Sequence, residues 1–247
     1  MISPIFTTIV LVAGFIFVFM KFTSSKPGDA IRMFNEKERK ANNTLRQPLD
    51  DLAFIKVPLE SIPMPDPAVN ERCAALIADI VRLSEKKLVN LTGISNTDLK
   101  LTYGAANLPI LTEYDQDFTS LCKDLYDLGI EYLNADHEEE ALTTLNTAID
   151  LGSDISGNYT ALAEIYASKG LYVEIQRLIN CAGTIRSLTK QSTINKLQNI
   201  LDSHTSAVIR LDGSSDPASS GNDPGNILPA DILDILETVP YISSDQK

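Results

Sequence analysis

The sequence predicts an all-α protein in which an N-terminal transmembrane helix precedes a domain of antiparallel helix pairs. Three observations carry that expectation. Residues 2–20 (ISPIFTTIVLVAGFIFVFM) contain no charged side chain. Downstream, apolar residues recur at steps of three and four, the period of a helix with one buried face. Short turn-forming breaks, such as Asn134-Ala135-Asp136, Gly152 and Gly170, separate those stretches.

Residues 1–20 are expected to form the anchor. Nineteen residues at 1.5 Å each make roughly 28 Å of helix, close to the ~30 Å hydrocarbon layer. A helix also satisfies its own backbone hydrogen bonds in lipid, and Pro4 falls near its start, where a missing N–H does little harm. A cleaved signal peptide would need basic residues before the apolar run and a small-x-small site after it, and neither is present. The basic cluster lies wholly on the C-terminal side. That predicts a single-pass protein with its N-terminus outside and the bulk of the chain cytoplasmic.

Residues 21–65 read as a basic juxtamembrane segment and linker. A polar helix is expected over 29–45. The proline-punctuated stretch 47–67 reads as extended chain that packs Phe54, Ile55 and Val57 onto the domain. The helical domain is expected over 66–211. Asp66-Pro67 offers an N-cap and a first-turn proline for a helix to about Lys87, with Val69, Cys73, Leu76, Ile80 and Leu83 on one face. Residues 88–111 carry no clear period; 90–98 reads as turn or loop, and Gly104 and Pro109 argue against a long helix. A helix follows over 112–133. Asp136 is expected to cap the next one, with Glu139 completing a capping-box pattern, and that helix ends near Gly152. Further helices are expected over 157–168, 171–181 and 190–211. Residues 212–247 read as a disordered acidic tail, rich in Ser, Gly, Pro and Asp, that holds a short apolar motif at 227–242.

Charge bounds the partners. Residues 21–46 hold seven basic and three acidic groups, leaving 14 basic against 30 acidic groups in 47–247. A body that acidic is repelled by phosphate backbones, so nucleic acid is not expected as a partner. The basic stretch suits anionic headgroups beside the anchor. Cys73, Cys122 and Cys181 are odd in number and far apart, so they read as small apolar core residues in a reducing compartment, not as a disulfide framework.

Repeats come next. Leu125, Leu128, Gly129 and Tyr132, followed by Ala141, Leu145 and Ala148, keep the spacing of a helix pair whose small residues let two rods approach closely. This segment resembles a tetratricopeptide repeat, a 34-residue helix-turn-helix unit. A shift of 34 residues gives a second match through Tyr159, Leu162, Ala163, Tyr166, Ile175 and Ala182, with Ile175 where the family usually has a small residue. The repeats are placed at about 122–155 and 156–187. The closing proline of the pattern is absent, and Ser153 stands there. An unrelated helical bundle is the alternative, and it keeps the all-α fold.

The resemblance implies a concave partner groove lined by the first helix of each pair. Its positions are Lys123, Tyr126, Asp127, Ile130, Leu133 and Asn134 in the first repeat. Thr160, Ala161, Glu164, Ala167 and Ser168 follow in the second. Tyr126, Ile130 and Leu133 suit a peptide or helix; contact with the preceding helix at 66–87 is the other reading. In the tail, Ile232, Leu233, Ile235, Leu236 and Val239 fit one side of a short helix that docks on a partner, docks on the chain's own groove, or stays unfolded.

Chemistry is sparse. His137 beside Glu138, Glu139 and Glu140 is the one His-acid cluster, and acids at a helix start complement its dipole. No nucleophile, metal or phosphate-loop motif occurs, so neither an enzyme, a cofactor nor a small-molecule substrate is expected. The function expected is a membrane-tethered, cytosol-facing scaffold or adaptor for a protein partner. The alternative is a structural subunit of a membrane complex whose helical domain packs permanently on other subunits, and an enzyme or enzyme regulator is the third and least favoured reading.

Overall fold

The computed structural model describes residues 14–17, 27–64 and 71–212, with side chains of the last helix described as far as Thr205. Its described residues are all-helical: α1 Pro27–Asn42, α2 Glu71–Ser84, α3 Asn96–Tyr103, α4 Leu108–Asn134, α5 Glu138–Asp150, α6 Ser156–Ser168, α7 Tyr172–Ala182 and α8 Lys190–Asp212. Single 3-10 turns occur at Leu59–Ser61 and Ala105–Asn107, and an isolated antiparallel bridge joins Ile55 to Leu88. Residues 14–17 are helical. Among the described residues no helix is long and apolar enough to cross a membrane. The rest of the anchor segment, Asp66-Pro67 and the tail motif from Ile232 to Val239 lie outside the described residues.

The chain divides into two compact units, one formed up to Asp51 together with Ile94–Ile110, the other by Leu52–Gly93 with the chain from Leu111. In the first, α1 packs on α3. Lys37 pairs with Asp98 at 2.7 Å, and Glu38 accepts hydrogen bonds from Thr97 and, at 3.2 Å, from Lys100. Asn107 is fully buried and its amide is used completely. It donates to the Gln47 and Tyr103 carbonyls at 2.7 Å each and accepts from the Arg46 Nε at 2.8 Å. Gly104 ends α3 at φ +88°, with the Leu45 carbonyl where a side chain would begin.

The segment 88–111 is thus more ordered than its lack of period predicts. Ser95 caps α3: its hydroxyl accepts from the Asp98 N–H and donates to the Asp98 carboxylate at 2.6 Å. Pro109 opens α4 instead of breaking it, since a first-turn proline forfeits no helical hydrogen bond.

In the second unit the 3.6-residue period sets the core. Phe118, Leu121, Cys122, Leu125, Leu128 and Tyr132 of α4 bury one face against Cys73, Ile80 and Leu83 of α2 and against Ala141 and Ala148 of α5. The extended chain lies along this core through Ile55, Val57, Leu59 and Ile62. The Tyr132 hydroxyl donates to the Pro63 carbonyl at 2.6 Å. Phe54 stays part-exposed, edge-on to Tyr114 with Lys87 above its ring at 5.2 Å. A second cluster joins Leu145, Tyr159, Leu162, Ala163, Ile175, Leu178, Ala182, Leu197 and Leu201, so α6 packs on α5, α7 and α8.

Two expectations are corrected here. Asp136 does not cap α5. It takes φ +60° and closes α4, with its N–H donating to Leu133 O at 3.2 Å and the His137 N–H to Tyr132 O at 2.9 Å. His137 occupies the N-cap without a side-chain bond, so Glu139 completes no capping box. The same paired bonds close α5 at Gly152 and α6 at Gly170, both at positive φ, which is the left-handed stop of a helix. The second correction concerns Cys181, which is exposed while Cys73 and Cys122 are buried.

Candidate functional site

The small and apolar residues of α4 to α7 pack in the interior. Gly129 is buried, and a Cβ there would lie 2.6 Å from Cγ and Cδ2 of Leu145. The absent side chain is therefore what lets α5 lie against α4. Leu125, Leu128, Ala141, Leu145, Ala148, Leu162, Ala163, Ile175 and Ala182 are all at 0% exposure, and Tyr132 and Tyr159 are buried. Tyr166 is half-buried, its hydroxyl accepting from Asn146 Nδ2 at 3.2 Å. The stops at Asp136 and Gly170 fall 34 positions apart, so the two helix pairs share one register.

Ser153, where the repeat pattern closes with proline, organises its turn through its hydroxyl. It accepts from the Ile155 N–H at 3.2 Å and from Asn158 Nδ2 at 2.9 Å. Burial pushes the neighbouring Cys122 thiol up to about 12, a rise the Ser153 hydrogen bond partly offsets, so this sulfur stays protonated and inert.

The groove residues fall into two groups. Tyr126 and Leu133 are packing residues. The Tyr126 ring lies against Gly157 of α6, where a Cβ would sit 2.5 Å from the ring, and Leu133 touches both core clusters. Ala161 packs on the second cluster and Ala167 is buried within it. The remainder face outward to different degrees. Lys123, Asn134, Glu164 and Ser168 are exposed, and Asp127, Ile130 and Thr160 are half-exposed. Lys123 pairs with Asp127 at 2.5 Å along α4, and His204 of α8 lies 3.7 Å from Glu164. Hydrogen bonding to Asp127, followed by that carboxylate's charge, raises the Lys123 pKa. The surface presented is the part-exposed Ile130 with the Lys123–Asp127 ion pair on the same helix.

A cleft of about 400 Å³ escaped the sequence reading. Its walls are the loop with Asn90 and Thr92, the turn with Gly152 and Asp154, Cys181 at the end of α7, and Thr184 and Arg186 in the chain just after it. Asn90 Nδ2 bonds the Gly152 carbonyl at 2.9 Å, the Tyr159 hydroxyl bonds Ser153 O at 3.1 Å and the Thr184 hydroxyl bonds Cys181 O at 2.7 Å. The lining therefore satisfies much of its own polarity and reads as a seam between turns. No local motif marks it, because its three segments come together only in the folded chain.

Among the described residues no group of three or more His, Cys, Asp or Glu side chains is placed to hold a metal ion. His137 Nδ1 lies 3.4 Å from Glu140, while Glu138 and Glu139 hold Lys169 at 2.7 and 2.9 Å. The acids that begin α5 thus tie it to the end of α6. Comparisons with protein-family models, with curated proteins and with solved structures find no match to this chain.

Proposed function

We propose that this protein is a membrane-tethered scaffold whose tetratricopeptide-like helix pairs present the outward face of α4 and α6 to a protein partner. The observation that carries the reading is the Gly129–Leu145 contact within one pair, together with the helix stop at Asp136 that recurs at Gly170, 34 residues on. Stacked pairs of this kind bury their apolar faces against one another and leave a row of first-helix side chains for recognition. Here that row is Lys123, Asp127, Ile130, Asn134, Thr160 and Glu164.

The tether rests on the uncharged run Ile2–Met20 and on Phe15, Ile16 and Phe17, which are 71%, 50% and 69% exposed. Three consecutive helical residues point in three directions about 100° apart. Ile16 and Phe17, on two of them, are apolar and largely exposed, which suits a lipid surround. The basic residues that follow place the helical body on the cytoplasmic side under this reading.

The test is recovery of bound protein from detergent-solubilised native membrane with tagged full-length chain. Ile130→Asp should lose the partner, and Thr143→Asp, on the exposed side of α5, should keep it. Equal recovery by both variants would remove the groove from the account. Tyr126 is unsuitable for this test, since its ring packs against Gly157 and a charge there would damage the stack.

A further inference from the structure

α1 is a two-faced helix covered on one face for only part of its length. Sixteen residues make it about 24 Å long, whereas the eight residues of α3 span about 12 Å. The pairings fix which part is covered. Lys37 meets Asp98, Glu38 meets Thr97 and Lys100, and Asn42 meets Lys100 at 2.8 Å, so α3 begins opposite Lys37. Ala41, on the same face, is at 0% exposure. Going back toward the start of the helix, that face continues as Phe34, Met33, Ile31 and Ala30. At 100° per residue these four fall within about 160° of arc. They are uncovered: Ile31 is 60%, Met33 73% and Phe34 60% exposed. Arg32 and Arg39 lie on the other side of the helix and Lys40 at the edge of the apolar face beside Met33, and all three are exposed.

We propose that this bare face lies in the headgroup region of an anionic bilayer, so that the first turns of α1 form a second, interfacial attachment beside the anchor. The inference rests on the membrane tether proposed above. The uncharged run ends at Met20, and the seven residues to Pro27 can reach no more than about 25 Å. The start of α1 is thus held close to the bilayer surface, where a helix with one apolar face and a basic flank settles. Lys21 and Lys26 add positive charge on the way. The helix itself carries four basic against three acidic residues, so insertion of Ile31, Met33 and Phe34 supplies the attachment, and charge only orients it.

The experiment uses the full chain in phosphatidylcholine–phosphatidylserine bilayers, with Cys181→Ser removing the exposed thiol; Cys73 and Cys122 are buried and do not label. A polarity-sensitive dye is placed at F34C, R39C or I16C in separate samples. The expected result is blue-shifted emission at position 34, with quenching by headgroup-level spin-labelled lipid severalfold stronger than at position 39. Adding Ile31→Glu, an exposed position that leaves packing intact, should abolish most of that difference. Iodide reaching position 34 as freely as 39, with 16 quenched by lipid, would overturn the inference and keep the tether. Position 34 shielded from both quenchers would mean that protein covers it, which also overturns the inference. Iodide reaching position 16 would overturn the tether, and the interfacial attachment with it.

Discussion

Gly129 and Leu145 show how one missing side chain decides a helix pair. Alanine at 129 gains about 1 kcal/mol of helix propensity. Its Cβ, however, must displace a fully buried leucine, an overpacking cost of about 1–3 kcal/mol. The net expected for Gly129→Ala is a loss of about 1 kcal/mol in urea denaturation. Leu145→Ala opens a cavity at a cost of about 2–5 kcal/mol. In that background the added methyl has room, so Gly129→Ala should turn stabilising. The same sign in both backgrounds would mean that the two residues do not meet. A second residue-scale prediction concerns charge. Burial, then the nearby Asp79 carboxylate, raises the pKa of Asp124 from the ordinary 3.8. A raised folded-state pKa means that protonation favours the native form, so stability is lost as pH rises through that value. Asp124→Asn should therefore be more stable than the parent at pH ~7, with the gain fading as pH falls through the raised value toward 3.8. A gain that persists at low pH would point to a cause other than ionisation.

The helices of the second unit were legible because their stripes are long. Phe118, Leu121, Leu125, Leu128 and Tyr132 repeat over four turns, and a pattern of that length outweighs local ambiguity. α3 is eight residues long and has buried positions only at Thr97 and Leu99, so no stripe announces it. Its signal was the cap: Ser95-x-x-Asp98 is a capping sequence, masked in reading by Gly104 and Pro109 close behind. Asp136 misled in the opposite way. A side chain suited to an N-cap serves here as a left-handed stop, a role short polar residues tolerate better than most. That assignment makes a paired prediction. Asp136→Gly should stabilise by about 0.5–1 kcal/mol, since glycine takes positive φ without strain. Gly170→Ala should cost about 1 kcal/mol although no atom lies within 4 Å of the new methyl, because only the backbone objects. Thermal midpoints moving in the same direction for both would contradict the shared stop.

For the molecule as a whole, the all-α architecture followed from periodicity, and the job of the surface did not. Packing residues announce themselves by spacing, whereas groove residues are recognised only by what remains uncovered. Tyr126 and Leu133 illustrate the difficulty: their positions along α4 suit a groove, but the fold spends them on the neighbouring pair. Ile130 is as part-exposed as Tyr126 and Leu133, but unlike them it packs on neither core cluster. The central claim is that α4 and α6 receive a protein while the N-terminal run holds the chain to a membrane. The most direct measurement is photo-crosslinking in native membranes from a diazirine amino acid at position 130, with position 143 as the control. The account predicts one discrete protein adduct from 130, retained in the membrane fraction, and none from 143. Adducts of equal yield from both positions, or from neither, would contradict it.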